Sequence, residues 1–391
     1  MGVLLPRSSL NFSDFHLHPT LCANMHAQGH DQPTPIQARA LPPALAGKNI
    51  IGLAQTGTGK TAAFVLPIVQ RLMQAQASDP RALIITPTRE LAVQITRVVA
   101  RLSKHTGLRC MALYGGVPIA SQEHALAKGV DIVVACPGRL RDHLTRGTVH
   151  LHAVQTFVLD EGDRMLDMGF LPDIRRILTA LPAERQTLVF SATFPAALRK
   201  QVSSIAPDAV TVQIGHTRPA QTIAHALYPV ESHRKTEMLL ELLHQHDRGA
   251  ILVFTRTKHR ANSVLQQIRR AGHQAACLHS NRTQKQRQTA LDDFRRGAVR
   301  VLVATDIAAR GIDVQQISHV INYDVPDTSD AYIHRIGRTG RAERNGAAFT
   351  LMTPDDSAQV AAIERALGAP LERRHLADFI PASAPGIPSA A

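Results

Sequence analysis

Short runs of apolar, mostly β-branched residues recur along this chain, and each run ends in turn or polar residues. NIIGLA, ALIITP, DIVVACP, TFVLDE and TLVFSAT lie in the first half; AILVFT, AACLHS, VRVLVAT and HVINYD lie in the second. They are apolar throughout rather than alternating, as strands covered on both faces must be. Stretches such as LAVQITRVVARLSKH and ANSVLQQIRRAG, with helical spacing, separate them. Strands alternating with helices predict an α/β fold built on mainly parallel sheets with helices on both faces.

A chain of 391 residues favours two such cores over one. The alternation pauses at IGHTRPAQTIAH, which is polar and holds Gly215 and Pro219. This divides the chain into a first domain over 1–214, a linker over 215–223 and a second domain over 224–370. The remainder, 371–391, is rich in Ala, Pro and Ser and is expected to be a disordered tail.

Lys and Arg outnumber Asp and Glu by 44 to 31, a formal net charge of +13. That suits a polyanionic partner, but many basic enzymes never meet nucleic acid, so charge alone does not decide. Cys22, Cys110, Cys136 and Cys277 stand far apart with no CxxC pair, as reduced thiols do. No run approaches the roughly 18 apolar residues of a membrane span. The expectation is a soluble, cytoplasmic protein.

IIGLAQTGTGKTAAF sets a strand before a Gly-rich turn and an apolar helix after it, the context of a phosphate loop. Gly57 and Gly59 let amide N–H groups point at phosphate oxygens. Lys60 supplies a point charge for the outer phosphates, and Thr61 offers a hydroxyl to Mg²⁺. Ala54 stands where the pattern usually has Gly.

LDEGDRMLDMGF crowds Asp160, Glu161 and Asp163 around Gly162. Asp160 and Glu161 end an apolar strand, and ligands of doubly wound sheets gather at strand carboxyl ends. A Mg²⁺ ion would relieve the repulsion among them. Asp160 is expected to hold it, partly through water, and Glu161 to orient and deprotonate an attacking water.

With these motifs in place, the chain resembles the DEAD-box ATP-dependent RNA helicases of superfamily 2, and most of all the bacterial RhlE-like group. The resemblance rests on motifs in the family's order: Phe12, GHDQPTPIQ, AQTGTGKT, PTRELAVQ, GG at 115–116, CPGR, DEGD and SAT, then VFT, QKQR, ATDIAARGIDV and HRIGRTGR. It implies two RecA-like domains on a flexible linker, an RNA-stimulated ATPase, and ATP and Mg²⁺ as cofactors. Domain closure on RNA would locally separate short duplexes or remodel ribonucleoproteins.

The resemblance also implies roles for particular residues. Gln37 pairs with the adenine edge and Phe12 stacks on the base. Ala54, Gln55, Thr56, Gly57, Thr58, Gly59, Lys60 and Thr61 bind the phosphates, and Asp313 lies near the ribose. Ser191 and Thr193 bond toward Asp163, which couples the two motifs. Arg338 and Arg341 are arginine fingers for the γ-phosphoryl group, and His334 and Arg335 link nucleotide to domain interface.

RNA contacts are expected at Pro87, Thr88, Arg89, Gly116, Gly138 and Arg139 on the first domain. On the second they are expected at Gln284, Arg287, Thr305 and Arg310. Such contacts are backbone-directed and sequence-tolerant. Four positions depart from the family pattern: His30 replaces an aromatic residue, Cys136 replaces Thr, Gly162 replaces Ala, and Ser280 replaces Gly. Ribosomal or RNA-decay complexes are the expected settings, with single-stranded or short duplex RNA as partner and no membrane. Rival readings are an ATP-gated RNA clamp, an RNA-binding protein with a decayed site, and a P-loop ATPase acting on proteins.

Overall fold

The computed structural model describes residues 10–54, 57–73, 79–214, 223–309, 317–340 and 346–376. Two compact units divide between His216 and Thr217. The first holds strands β1 (Ile50–Leu53), β2 (Ala82–Ile85), β3 (Cys110–Leu113), β4 (Ile132–Ala135), β5 (Thr156–Asp160), β6 (Gln186–Ser191) and β7 (Val210–Gln213). The second holds β8 (Ile223–Pro229), β9 (Ala250–Phe254), β10 (Ala275–Leu278), β11 (Val301–Ala304), β12 (Ile317–Asn322), β13 (Gly346–Met352) and β14 (Glu372–Arg373).

Every pairing among the described strands is parallel. Strand order in the first unit is β3-β4-β2-β5-β6-β1-β7 and in the second β10-β11-β9-β12-β13-β8-β14, the same permutation displaced by seven. The two halves therefore repeat one topology, which their sequences suggested without proving. Inner strands β2, β4, β5 and β6 are buried at every position. The edge strand β7 is buried only at Val212. Continuous apolar runs mark the middle of a sheet, because helices cover both of its faces there.

The helix Arg89–Leu102 shows how that cover works: Leu91, Ala92, Ile95, Val99 and Leu102 form its buried stripe. On the other face Leu83, Ile85, Val133, Phe157 and Leu159 pack into a second cluster with Ile174 and Ile177.

Two boundaries differ from the sequence expectation. Ile223, assigned to the linker, opens β8, and 215–222 lie outside the described residues. Leu371–Arg373, assigned to the tail, belong to the second unit: Leu371 is buried and Glu372 and Arg373 pair with Ala226 and Leu227 of β8. One apolar side chain anchors a strand too short and too charged to show in composition. Among the described residues, no helix is long and apolar enough to cross a membrane.

Candidate functional site

The carboxyl ends of the first sheet divide into two adjacent halves. Strands β5, β6 and β1 deliver one group of side chains; β3, β4 and β2 deliver the other.

In the first half, the loop after β1 turns at Gly57 and Gly59, with φ of 88° and 91°. At Gly59 a methyl group would lie 2.5 Å from Gln37 Nε2, so both conformation and space require glycine. Lys60 opens the helix Lys60–Leu72, is 6% exposed, and donates from Nζ to the Ala54 carbonyl at 2.8 Å. Thr61 follows it, half-buried. Gln55 and Thr56 lie outside the described residues.

Gln37, expected at the adenine edge, ties its own helix to this loop. Its Nε2 donates to the Gly59 carbonyl at 3.0 Å, and its Oε1 accepts the Thr34 N–H at 2.9 Å. Phe12 is buried in the core cluster that also holds Leu21 and Met25. His30 is exposed.

Asp160 ends β5 and is 3% exposed. Burial pushes its carboxyl up to about 7, Lys60 opposes this, and the Glu161 charge adds to it. Its Oδ1 accepts the Glu161 N–H at 3.0 Å. Glu161 adopts a left-handed backbone, φ 56° and ψ 50°, unusual for a residue with a Cβ. Its carboxylate accepts from Arg164 Nη1 at 2.5 Å. Sequence reading missed Arg164, although a spacing of three residues on a helix was the available signal.

Asp163 faces β6. Its N–H donates to Ser191 Oγ at 3.0 Å, and its Oδ2 accepts from Thr193 N–H at 2.8 Å and Thr193 Oγ1–H at 2.9 Å. Burial alone would raise its carboxyl, but these donors and the Lys60 charge hold it below its ordinary value.

The second half carries the other candidates. Pro87 and Thr88 are buried after β2, and Thr88 Oγ1 caps the following helix by accepting the Leu91 N–H at 3.3 Å. Arg89 covers the glycine pair after β3 so closely that a methyl on Gly116 would lie 2.1 Å from its Nη1. Gly116 has φ of 82° and is exposed. Gly138 opens into free space near the start of the helix Pro137–Thr145. Cys136 precedes that helix with no side-chain cap bond, and burial pushes its thiol up to about 12. Arg139, also among the expected RNA contacts, donates from Nη1 to Gln122 Oε1 at 2.9 Å and from Nη2 to the Val117 carbonyl at 3.1 Å.

In the second unit, Gln284 and Arg287 lie on the helix Gln284–Arg295, whose N-cap Thr283 accepts the Gln286 N–H at 3.3 Å. Ser280 is exposed just before it, and Thr305 follows β11, half-buried. Arg335 forks onto both oxygens of Asp306, at 2.7 and 2.8 Å, and donates to Asn322 Oδ1 and the Asp324 carbonyl. It also lies 5.0 Å over the Phe254 ring. Asp306 is thus a second residue the sequence reading did not single out. Arg338 is 3% exposed and donates from Nε to the His334 carbonyl at 3.2 Å. Arg310, Asp313 and Arg341 lie outside the described residues.

The family model for DEAD/DEAH box helicases matches residues 34–201, and that for the helicase conserved C-terminal domain matches 234–343. The DEAD-box ATP-dependent RNA helicase CshA of Bacillus licheniformis is 40% identical over 366 residues, 93% of this chain and 75% of that protein. The DEAD-box ATP-dependent RNA helicase RhpA of Helicobacter pylori is 38% identical over 363 residues, 93% of this chain and 73% of that protein. Among solved structures, S. cerevisiae Dbp5 bound to RNA and ADP BeF3 is 32% identical with a TM-score of 0.84, covering 94% of this chain and 96% of that one.

Proposed function

This chain belongs to the DEAD-box ATP-dependent RNA helicase family, and on that premise we propose how its residues divide the work. It is an RNA-stimulated ATPase that couples ATP binding and hydrolysis to domain closure on RNA and local strand separation. One observation supports the division most directly. The carboxyl ends of β5, β6 and β1 carry phosphate-loop and carboxylate chemistry, while those of the adjoining β3, β4 and β2 carry exposed backbone and Arg89. Two ligands can thus meet one rigid sheet edge.

In this reading Gly57, Thr58, Gly59 and Lys60 grip the phosphates, helped by Ala54, Gln55 and Thr56, while Gln37 reads adenine, Phe12 backs the base and Asp313 approaches the ribose. Glu161, gripped by Arg164, orients the attacking water and accepts its proton. Arg338 and Arg341 neutralise charge on the γ-phosphoryl group, a role worth roughly 10³–10⁵ in rate. Asp163, Ser191 and Thr193 relay the state of the nucleotide to the rest of the sheet edge, and His334 and Arg335 do so on the second unit.

The site fits Mg²⁺. Asp160 is a buried carboxylate whose charge costs enough to push its pKa up to about 7, and a divalent cation would offset that cost. Asp160 and the Thr61 hydroxyl supply hard oxygen donors, with phosphate oxygens completing the set. The ion would polarise the phosphoryl oxygens.

RNA lies across Thr88, Arg89, Gly116 and Gly138 with Pro87 beneath, and across Gln284, Arg287, Thr305 and Arg310. Its backbone rather than its bases is read. Because ATP and RNA favour the same closed state, each tightens the other. We place the activity in the cytoplasm, on single strands or short duplexes of ribosomal or RNA-decay complexes.

The test is ATP turnover with and without RNA, run beside a duplex-separation assay, with Glu161→Gln as control. RNA should raise turnover, and Glu161→Gln should abolish it while retaining RNA. Turnover indifferent to RNA overturns the reading. Stimulated turnover without strand separation would leave an ATP-gated clamp.

A further inference from the structure

A buried chain of hydrogen bonds holds the glycine pair from beneath. Gln122, on the helix Ile119–Ala127, is 6% exposed. Its Nε2 donates to the Tyr114 carbonyl at 3.1 Å, and its Oε1 accepts from Arg139 Nη1 at 2.9 Å. Arg139 in turn donates to the Val117 carbonyl at 3.1 Å. Those two carbonyls flank Gly115 and Gly116, so the turn is pinned immediately before and after the pair. A glycine pair has more backbone freedom to lose than any other, and without such pins it would sample many shapes.

The chain continues inward. His143, wholly buried, lies with Nε2 3.1 Å from Gln122 Oε1 and Nδ1 2.7 Å from Thr148 Oγ1. An amide oxygen only accepts, so Nε2 carries the proton and Nδ1 accepts from the Thr148 hydroxyl. Burial, with the Arg139 charge adding to it, holds the imidazole below its ordinary value and therefore neutral. Both lone pairs of Gln122 Oε1 are thereby used. Only Arg139 Nε lacks a hydrogen-bond partner among these side chains; the bonds through Gln122 Oε1 favour one geometry, because breaking either leaves a further buried polar atom uncompensated.

We propose that Gln122 and His143 are positioning residues for RNA: with Arg139 as a brace, they hold the Gly115–Gly116 turn in the shape that receives a backbone phosphate. The proposal rests on reading this sheet edge as the RNA face. Neither side chain reaches the nucleic acid; both act through the turn. Arg139 accordingly serves the RNA site as a brace, through the bonds of Nη1 and Nη2 to Gln122 and Val117.

The experiment measures RNA-stimulated ATP turnover of the full chain against RNA concentration, using a single-stranded oligoribonucleotide, with thermal melting of each variant. Gln122→Ala should raise the half-saturating RNA concentration about tenfold, as expected for losing a charge-assisted hydrogen bond and the order it imposes. Turnover at saturating RNA should stay within about twofold, the mark of lost ground-state binding. His143→Leu should shift the same way. His143→Gln should restore most of the loss, since its amide can donate to Gln122 and accept from Thr148; this pair carries the test alone if Gln122→Ala does not fold.

Arg89→Ala separates the two layers of the argument. If it weakens RNA while Gln122→Ala and His143→Leu do not, the positioning proposal is overturned and the RNA face stands. If it too leaves RNA unaffected, the RNA face falls and the proposal with it. A parallel fall in saturated turnover and melting temperature, unrescued by His143→Gln, would show general structural damage and overturn the proposal as well.

Discussion

Arg164 Nη1 lies 2.5 Å from Glu161 Oε2, and neither side chain is more than 5% exposed. The pair closes over a backbone that Glu161 holds in the left-handed region. The residue assigned to orient water is thus fixed twice, by its main chain and by a cation on the next turn. The pair is directional as well as attractive, since a guanidinium can grip a carboxylate in a plane.

Removing Arg164 should therefore do more than remove a charge. Arg164→Ala leaves Glu161 buried and unpaired, a situation that costs about 3–5 kcal/mol when a buried ion pair loses one partner. The expected result is a clearly lower melting temperature together with reduced turnover, and Arg164→Lys should recover stability better than turnover because ammonium lacks the planar fork. Melting and ATPase curves unchanged in Arg164→Ala would show that Glu161 is held by its backbone alone.

Gly162 replaces the Ala of the family name with no loss of charge, and its surroundings predict how the alanine form would behave. A methyl there would meet both Leu198 methyls at 3.2 Å and Leu159 Cδ2 at 3.4 Å. Gly162 opens a helix without a left-handed backbone, so alanine gains roughly 0.5–1 kcal/mol of chain entropy while pressing slightly on Leu198. Turnover of Gly162→Ala should stay within about tenfold of the parent. A rise above ~100-fold, equivalent to about 2.7 kcal/mol, would mean that this position governs the chemistry.

What could be read from sequence follows from where each residue sits in the sheet. The runs that became β2, β4, β5, β6, β9 and β11 were legible because all but Ala250 are buried and each has an apolar centre of three residues or more. β3 and β7 were not: β3 is a short run, CMAL, without a β-branched residue, and the edge strand β7, VTVQ, alternates with polar residues. β8 was hidden by His225 and Pro229, and β13 by its small Gly346–Ala348 start. In the site, motif residues declared themselves, whereas Arg164, Gln122, His143 and Asp306 did not. They act through contacts set by the fold; in the chain only the three-residue spacing of Glu161 and Arg164, and the place of Asp306 within ATDIAARGIDV, pointed to them.

Thr193 offers Asp163 two donors of different origin, and they can be separated. Thr193→Val keeps the backbone N–H to Asp163 Oδ2 and removes the hydroxyl that bonds the same oxygen at 2.9 Å. Loss of one hydrogen bond to a charged acceptor costs roughly 1.5–3 kcal/mol. RNA-stimulated turnover should survive, because Lys60, Asp160 and Glu161 are untouched, while strand separation per ATP hydrolysed should fall. Equal losses in both assays would place Thr193 in hydrolysis itself.

The second unit carries a pH-sensitive element around His319. His319, on β12, has its ring 4.5 Å from His246 and 5.5 Å from Phe349, and its Nδ1 lies 2.9 Å from Ser318 Oγ. Arg300 borders the cluster, donating to the His246 carbonyl at 2.6 Å, to the Leu243 carbonyl at 3.0 Å and to His273 Nδ1 at 3.3 Å. Burial pushes the His319 imidazole down to about 4, and His246 and Arg300 add to the shift. Burial likewise lowers His246, with Arg374 adding, and His273, with Arg300 and His244 adding. The unfolded chain thus binds more protons than the folded one between about pH 6.5 and 4, so stability rises with pH across that window. The stabilisation is complete above the ordinary histidine value and is lost as pH falls toward 4. After discounting for partial solvent access it amounts to on the order of 1–2 kcal/mol. Melting temperature should drop between pH 7 and pH 5, and His319→Phe, which keeps an aromatic ring beside Phe349, should flatten that drop. An unaltered pH slope in His319→Phe would assign the acid sensitivity to other groups.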